Sequence, residues 1–271
     1  MNEKEKCLAN KGFYKGVLAV AVPIMVQNGI TNFVSLLDNI MVGKLGTETM
    51  SGVSIVNQFI FIFYLLIFGA ISAAGIFTSQ YHGLKDEDGV RYTFRFKVLI
   101  CTVTSLVSAL VFFLFDEPII NLFLYESEGT GDLALTLAEG KKYLYVMLFG
   151  LLPYSLSQTY ASTMRETGDA LRPMIASIIA VAVNFVLNLS LIFGLLGFPA
   201  LGAQGAAIAT VISRFAELFY LVLYAHRRKN KFPYLKQAYA SFRIPVKLFR
   251  LIFAKGMPLM LNECLWSLAM T

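Results

Sequence analysis

Four side chains in this 271-residue sequence have the types and spacing to hold a small cation: Asp38, Asn184, Asn188 and Thr210. Asp38 sits inside the apolar run 17–42, which at ~1.5 Å per residue is long enough to cross the hydrocarbon as a helix. A carboxylate at that depth costs about 3 kcal/mol or more, so by default it faces a cavity or a partner and marks an ion or proton site. Its other reading is a packed helix whose Asp38 snorkels to the interface. Asn184 and Asn188 lie at i, i+4 on one face of another apolar run, and Thr210 lies about a turn and a half inside the next. Measured along such helices, Asp38 lies roughly 6 Å below one membrane face, Asn188 roughly 12 Å, Asn184 roughly 18 Å and Thr210 roughly 8 Å. One carboxylate, two amides and a hydroxyl therefore share a layer. Oxygen ligands of this kind suit a hard monovalent cation, and a desolvated carboxylate would equally take a proton. The residues do not choose between Na+ and H+, and no cofactor beyond such a coupling ion is called for.

The first run also carries Gln27, Asn28, Thr31, Asn32, Ser35 and Asn39. Asn28, Thr31, Ser35 and Asp38 follow i, i+3, i+7, i+10 spacing, which predicts one polar helix face. Asn28, Thr31 and Asn32, with Gln158 from the fourth run, are candidates for lining a substrate path. The fourth run places Pro153 beside Tyr154, Ser155, Ser157 and Ser162. A proline there frees a backbone carbonyl and bends a helix, for packing or toward a water-filled cavity. Arg214 and Glu217, at i, i+3 in the sixth run, can neutralise one another.

The elements that must position these groups follow from composition. With 57% hydrophobic and 15% charged residues, and a mean hydropathy of +0.65, the chain reads as an all-α polytopic membrane protein. Apolar runs predict complete spans at roughly 17–42, 53–81, 98–115, 143–164, 173–196 and 205–225, with a seventh beginning near Leu251 and cut off at Thr271. The domain reading is a six-helix lobe over 1–225, a basic cytoplasmic linker over 226–250, and the truncated first helix of a second lobe over 251–271. Small residues in the second span (Gly69, Ala70, Ala73, Ala74, Gly75) and in GAQGAAIAT at the start of the sixth predict close helix contacts.

Loop charges orient the chain. Lys4, Lys6, Lys11, Lys15, Lys85, Arg91, Arg95, Lys97, Arg165, Arg172 and the basic residues from Arg227 to Arg250 fall on one side. The other side takes only Lys44, Lys141 and Lys142, so the positive-inside rule predicts a cytoplasmic N-terminus in a multi-pass protein of the cell membrane. The segment 116–142 on that other side, with Asp116, Glu117, Glu126, Glu128, Asp132 and Glu139, reads as a solvated loop. The net charge of +6 sits in short loops and predicts topology, with no nucleic acid as partner. Cys7, Cys101 and Cys264 form no paired motif, and the first run is too long for a signal-peptide core. No nucleophile–base or metal-ligand spacing appears around His82 or His226, so no enzyme is expected. A seven-helix receptor would need an outward N-terminus, against the loop charges.

The end of the chain repeats its beginning. Aligning Pro258 with Pro23 pairs Leu259 with Ile24, Met260 with Met25, Leu261 with Val26, Asn262 with Gln27 and Glu263 with Asn28. Duplicated halves with a site between them are a transporter pattern, and the expectation is the first half, with the start of the second, of a protein of roughly 450 residues.

On these residues the chain resembles the MATE family, the multidrug and toxic-compound extrusion transporters. The matching stretches are Pro23 to Asp38 with the following MVGKLG, MRETGDALRPM from Met164, NFVLNLSLIFG from Asn184, and GAQGAAIAT from Gly202. The resemblance implies a twelve-helix duplicated transporter of two six-helix lobes. Rocking of the lobes opens a central cavity to alternate sides, and cation entry drives export of small organic cations or drugs. It implies a first-lobe cation site at Asp38, Asn184, Asn188 and Thr210, and as partners the lipid bilayer and the missing second lobe. Many members carry an aspartate where this chain has Asn188, which lowers the negative charge of the site and weakens the case for Na+. The nearest alternative is a flippase for lipid-linked precursors or polysaccharides, which an arginine-rich cavity would favour; by the sequence, only Arg214 is intramembrane.

Overall fold

The computed structural model describes residues 11–124, 132–241 and 243–270. Lys4, Lys6, Cys7, Glu126 and Glu128 lie outside the described residues, as do the side chains of the repeat positions 259–261 and 263. Among the described residues eight α-helices follow in order: α1 (Lys11–Gly43), α2 (Thr47–Gly83), α3 (Glu87–Leu114), α4 (Asp116–Leu124), α5 (Leu133–Glu166), α6 (Leu171–Phe193), α7 (Ala203–Arg227) and α8 (Val246–Met270). Among the described residues there is no strand.

Five helices, α1 to α3, α6 and α7, are long and apolar enough to cross a membrane, which makes this a multi-pass membrane protein. The 34-residue α5 is long enough but less apolar, because it carries Ser155, Ser157, Thr159, Ser162 and Thr163. All five are buried, and hydroxyls such as Thr159 and Thr163 bond back to the carbonyls of Ser155 and Thr159. The polar content of α5 is turned into the bundle, where backbone acceptors satisfy it.

Packing is closest between α6 and α7; α5 lies against α2 and α7, and α3 lies beside α2 and α5. Glycines set these separations. A Cβ on Gly52 of α2 would lie 2.6 Å from the Thr136 carbonyl oxygen of α5, and one on Gly205 of α7 would lie 2.5 Å from the Leu191 carbonyl oxygen of α6. The small-residue start of α7 is thus a contact surface, as its sequence predicts. Helix α8 lies along α2, with Ile252 buried and a Cβ on Gly256 only 2.5 Å from that of Ala73. Helix α1 is held more loosely: it leans mainly on α6 and exposes Val22, Met25, Phe33, Leu36 and Ile40.

Two segments differ from their sequence reading. The stretch 116–142, expected as a solvated loop, contains α4 and the first turns of α5. Lys141 bridges Asp116 at 3.0 Å and Glu117 at 2.8 Å, and the Tyr145 hydroxyl donates to Asp116. Burial pushes the Asp116 carboxyl up, but the hydrogen bonds from Tyr145 and Lys141 outweigh it and hold the group below the usual carboxylate range. The third span, expected from residue 98, begins at Glu87, where Asp86 caps it by accepting from the Gly89 amide at 2.9 Å. That extension brings Arg91, Arg95 and Lys97 onto a helix.

The basic stretch after α7 is folded as well. Phe232, Tyr234, Leu235 and Ala238 are buried, and Arg95 donates to the carbonyls of Ala238 at 2.8 Å, Gln237 at 2.6 Å and Arg243 at 3.3 Å. An arginine from α3 therefore ties down the backbone of this stretch, including the carbonyl of the buried Ala238.

Candidate functional site

Helices α1 and α6 run side by side in the same direction, tied at two polar points. Gln27 donates to the Ser177 hydroxyl at 2.7 Å, and Asn188 donates to the Asp38 carboxylate at 2.5 Å. Asn188 and Asn184 are buried because α7 packs against their face of α6, and Asp38 is half-buried at the α1 side. With its amide nitrogen turned toward Asp38, Asn184 stands 3.1 and 3.2 Å from the two carboxylate oxygens and accepts from the Thr210 hydroxyl at 3.3 Å. In the opposite orientation it accepts from Asn188 at 3.1 Å and donates to Thr210 at 3.3 Å. Either way, Asp38, Asn184, Asn188 and Thr210 form one cluster spanning three helices.

Further along α7, Arg214 lies 3.6 Å from the Glu217 carboxylate, with its guanidinium 5.0 Å from the Tyr154 ring and 6.0 Å from that of Tyr64. Glu217 also accepts from Ser177 at 3.0 Å and Ser157 at 3.4 Å. Arg214 and Glu217 therefore cancel, as the i, i+3 spacing predicts, and Asp38 remains the net charge of the cluster. It opens onto a cleft of about 450 Å³ lined also by Asn57, Tyr64, Tyr143, Thr210 and Arg214. A smaller pocket of about 70 Å³ joins Asp38 to Thr31, Ser35, Asn184 and Glu217. The Asn188 side-chain oxygen is buried and accepts no hydrogen bond among the described residues, so one ligand oxygen stands ready beside the carboxylate. One negative charge with neutral oxygens around it can take a proton or a single monovalent cation.

The predicted polar face of α1 needs correction. Asn28, Thr31, Asn32 and Ser35 are all exposed, but Thr31 and Ser35 border the small pocket with Asp38, whereas Asn28 and Asn32 do not, and Gln27 reaches inward to Ser177. At about 3.6 residues per turn, eleven residues make three turns and return Gln27 to within roughly 20° of Asp38, whereas Asn28 falls roughly 80° away. Summing the steps back from Asp38 would have found this. Gln158 lines a separate cavity of about 390 Å³ with Tyr154, Ser162, Arg165 and Glu166, which neither Asn28 nor Asn32 lines.

Arg214 is not alone inside the helices. Lys97 of α3 is fully buried, paired with Glu166 of α5 and donating to Ser162 at 3.2 Å and Thr163 at 3.4 Å. Arg165, next to Glu166, is half-buried and donates to the Gln27 side-chain oxygen at 3.4 Å. Both read as loop cations because their partners lie far away in sequence.

The geometry has relatives. A family model described as MatE matches residues 23–190. The probable multidrug resistance protein YoeA of Bacillus subtilis (strain 168) is 27% identical over 252 residues, covering 92% of this chain and 52% of YoeA. The structure titled "Crystal structure of MATE in the bent conformation" superposes with a TM-score of 0.80 at 20% identity, covering 95% of this chain and 55% of that one. An outward-facing multidrug resistance MATE family transporter of the MOP superfamily gives a TM-score of 0.79 at 22% identity, covering 94% and 54%. The chain spans about half the length of the relatives it matches. With the family model matching more than half of its residues, a stretch that includes Asp38 and Asn188, the chain belongs to the MatE family.

Proposed function

We propose that this chain supplies one lobe of a secondary active exporter that couples entry of a monovalent cation or proton to the export of small organic compounds. The observation that carries the reading is the tie between Asp38 and the amides of α6. It places a lone net carboxylate on the most loosely packed helix of the lobe and gives it polar partners on a firmly packed one. A cation or proton on Asp38 competes for the carboxylate with Asn188, and so changes how α1 is held. A ligand shifts such an equilibrium only through its different affinity for the two arrangements, and the carboxylate supplies that difference. The loop charges support a cytoplasmic N-terminus with Asp38 in the outer half of the membrane, and on that reading the ion enters from outside. The relatives' names, probable multidrug resistance proteins, support drug-like compounds as cargo.

Ion-gradient-driven export by the full-length protein in proteoliposomes tests this. Asp38→Asn keeps the side-chain volume and removes the charge, and should reduce gradient-driven export to background while the protein still folds. Export that persists under the same gradient would remove Asp38 from the coupling step.

A flippase for lipid-linked precursors is the second reading, and Arg165 is the observation that favours it. It ranks lower because Lys97 and Arg214 are each committed to a carboxylate, which leaves no arginine-rich pocket.

A further inference from the structure

Arg95 spends its donors on three backbone carbonyls, and the other charges among the described helices' interiors pair off with one exception on each side. Lys97 is fully buried and takes Glu166, using its remaining donors on Ser162 and Thr163. An unpaired ammonium at full burial is strongly unfavourable, so Glu166 is committed to Lys97. Glu217 is committed to Arg214 and two serines. Asp38 is left over as the open anion, and Arg165 is left over as the open cation. Among the described residues Arg165 makes no ion pair, and its one hydrogen bond, to Gln27, is long at 3.4 Å. A guanidinium carries five N–H donors in a planar fork, so most of them remain for something else.

Arg165 lies on the wall of the 390 Å³ cavity between α1, α2 and α5. That volume falls within the roughly 300–1,000 Å³ of small-molecule sites. Among its other walls, Ile24, Ile67, Phe68 and Ile71 supply an apolar surface that gives way to Ser72 and Ser79 along α2, while Tyr154, Gln158 and Ser162 of α5 stand with Arg165. With Glu166 neutralised by Lys97, the cavity has a net charge of one positive, opposite to the cluster around Asp38.

We infer that this cavity is a binding site for amphipathic organic anions, compounds with a carboxylate, sulfonate or phosphate head on an apolar body. The head takes the fork of Arg165 in a bidentate contact, Gln158 donates to a further oxygen, and the body lies against Phe68 and the isoleucines. The inference deepens the transport reading by naming a substrate class, and rests on that reading for its physiological use. An acidic lipid headgroup and a soluble organic acid share this chemistry.

Equilibrium binding of 2-naphthoate and of 2-naphthylmethylammonium to the full-length protein in phosphatidylcholine nanodiscs tests it, since the two probes share a body and differ in head charge. The expected result is tighter binding of naphthoate, weakened about tenfold or more by Arg165→Gln and less by Arg165→Lys. Ile71→Trp, which leaves the charges alone and fills the apolar wall, should weaken naphthoate as well. Naphthoate affinity that is the same with and without the arginine, or a preference for the ammonium probe, would overturn the inference. Adding phosphatidylglycerol to the nanodiscs separates the sources: Arg165-dependent displacement of naphthoate identifies a lipid occupant, and undiminished binding identifies a soluble acid. Arg165-dependent binding without any gradient-driven export would keep the site and discard the transport reading, and export without such binding would do the reverse.

Discussion

Asn188 donates to Asp38 across the α1–α6 contact, and the 150 residues that separate this pair also separate Gln27 from Ser177. The shared offset means that two parallel helices keep one register over three turns. Between the ties, Thr31, Val34 and Ser35 of α1 line a small pocket against α6, with the Thr31 and Ser35 hydroxyls bonded back to their own helix. The helix that bears the proposed coupling carboxylate is therefore attached at two polar points, one charged and one neutral.

Gln27→Ala should loosen the neutral point without touching the charged one. Polar bonds between membrane helices average about 0.6 kcal/mol, and Gln27 makes two, so the local cost is about 1 kcal/mol. Hydrogen exchange of the α1 amides should quicken roughly fivefold at residues near 27 and stay unchanged in α2. Equal quickening in both helices would show that Gln27 supports the whole lobe and is no separate attachment of α1.

The pair Lys97–Glu166 should respond asymmetrically to truncation. The Lys97 side chain has no exposed surface, whereas 16% of the Glu166 side chain reaches solvent. Glu166→Gln strands a wholly buried ammonium and should cost about 3–5 kcal/mol; Lys97→Met strands a carboxylate with access to water and should cost less. The double variant should regain most of the loss. Melting of the detergent-solubilised protein measures all three, and equal losses from the two single variants would refute the assigned burial.

The comparison of sequence with structure turns on these same residues. The layer of Asp38, Asn184, Asn188 and Thr210 was legible because depth along a helix follows from residue count, and all four lie on long uninterrupted elements. Lys97 was not: a cation at the edge of an apolar run looks like a loop charge until its helix is known to start ten residues earlier, at Glu87. Its carboxylate is 69 residues away, a distance no local pattern spans. The packed stretch after α7 did carry a signal in Phe232, Tyr234 and Leu235, apolar side chains set among lysines, but the charge count overrode it. Asn28 was placed on the polar face through steps of three and four residues whose sum, ten, falls short of three turns.

Gly205→Ala probes the α6–α7 spacing that holds Asn184 near Thr210. The added Cβ would meet the Leu191 carbonyl oxygen at 2.5 Å and its carbon at 2.7 Å, and backbone cannot rotate away as a side chain can. The helices must separate, at a cost of about 1–3 kcal/mol. Gly16→Ala is the control of opposite sign, because a Cβ there has nothing within 4 Å and the helix gains roughly 0.5–1 kcal/mol from the lost backbone freedom. A destabilised Gly16→Ala together with a neutral Gly205→Ala would contradict the packing of both helices.

The acidic end of the bundle should show its own pH dependence through Asp116. Its carboxyl is held below the usual range in the fold, so the contribution to stability is complete above the unfolded value of about 3.9 and fades as the pH falls through the lower folded value. Tyr145→Phe removes one of the hydrogen bonds that keep the carboxylate charged. The wild-type protein should therefore melt at a higher temperature than Tyr145→Phe near pH 6, with the gap narrowing steadily once the pH is taken below about 4. Lys141→Met should reproduce the narrowing, since Lys141 bridges the same carboxylate at 3.0 Å and Glu117 at 2.8 Å. A gap that persists unchanged into acid would mean that Tyr145 stabilises this end by packing against Phe113, its ring neighbour at 6.0 Å, with the charge on Asp116 playing no part.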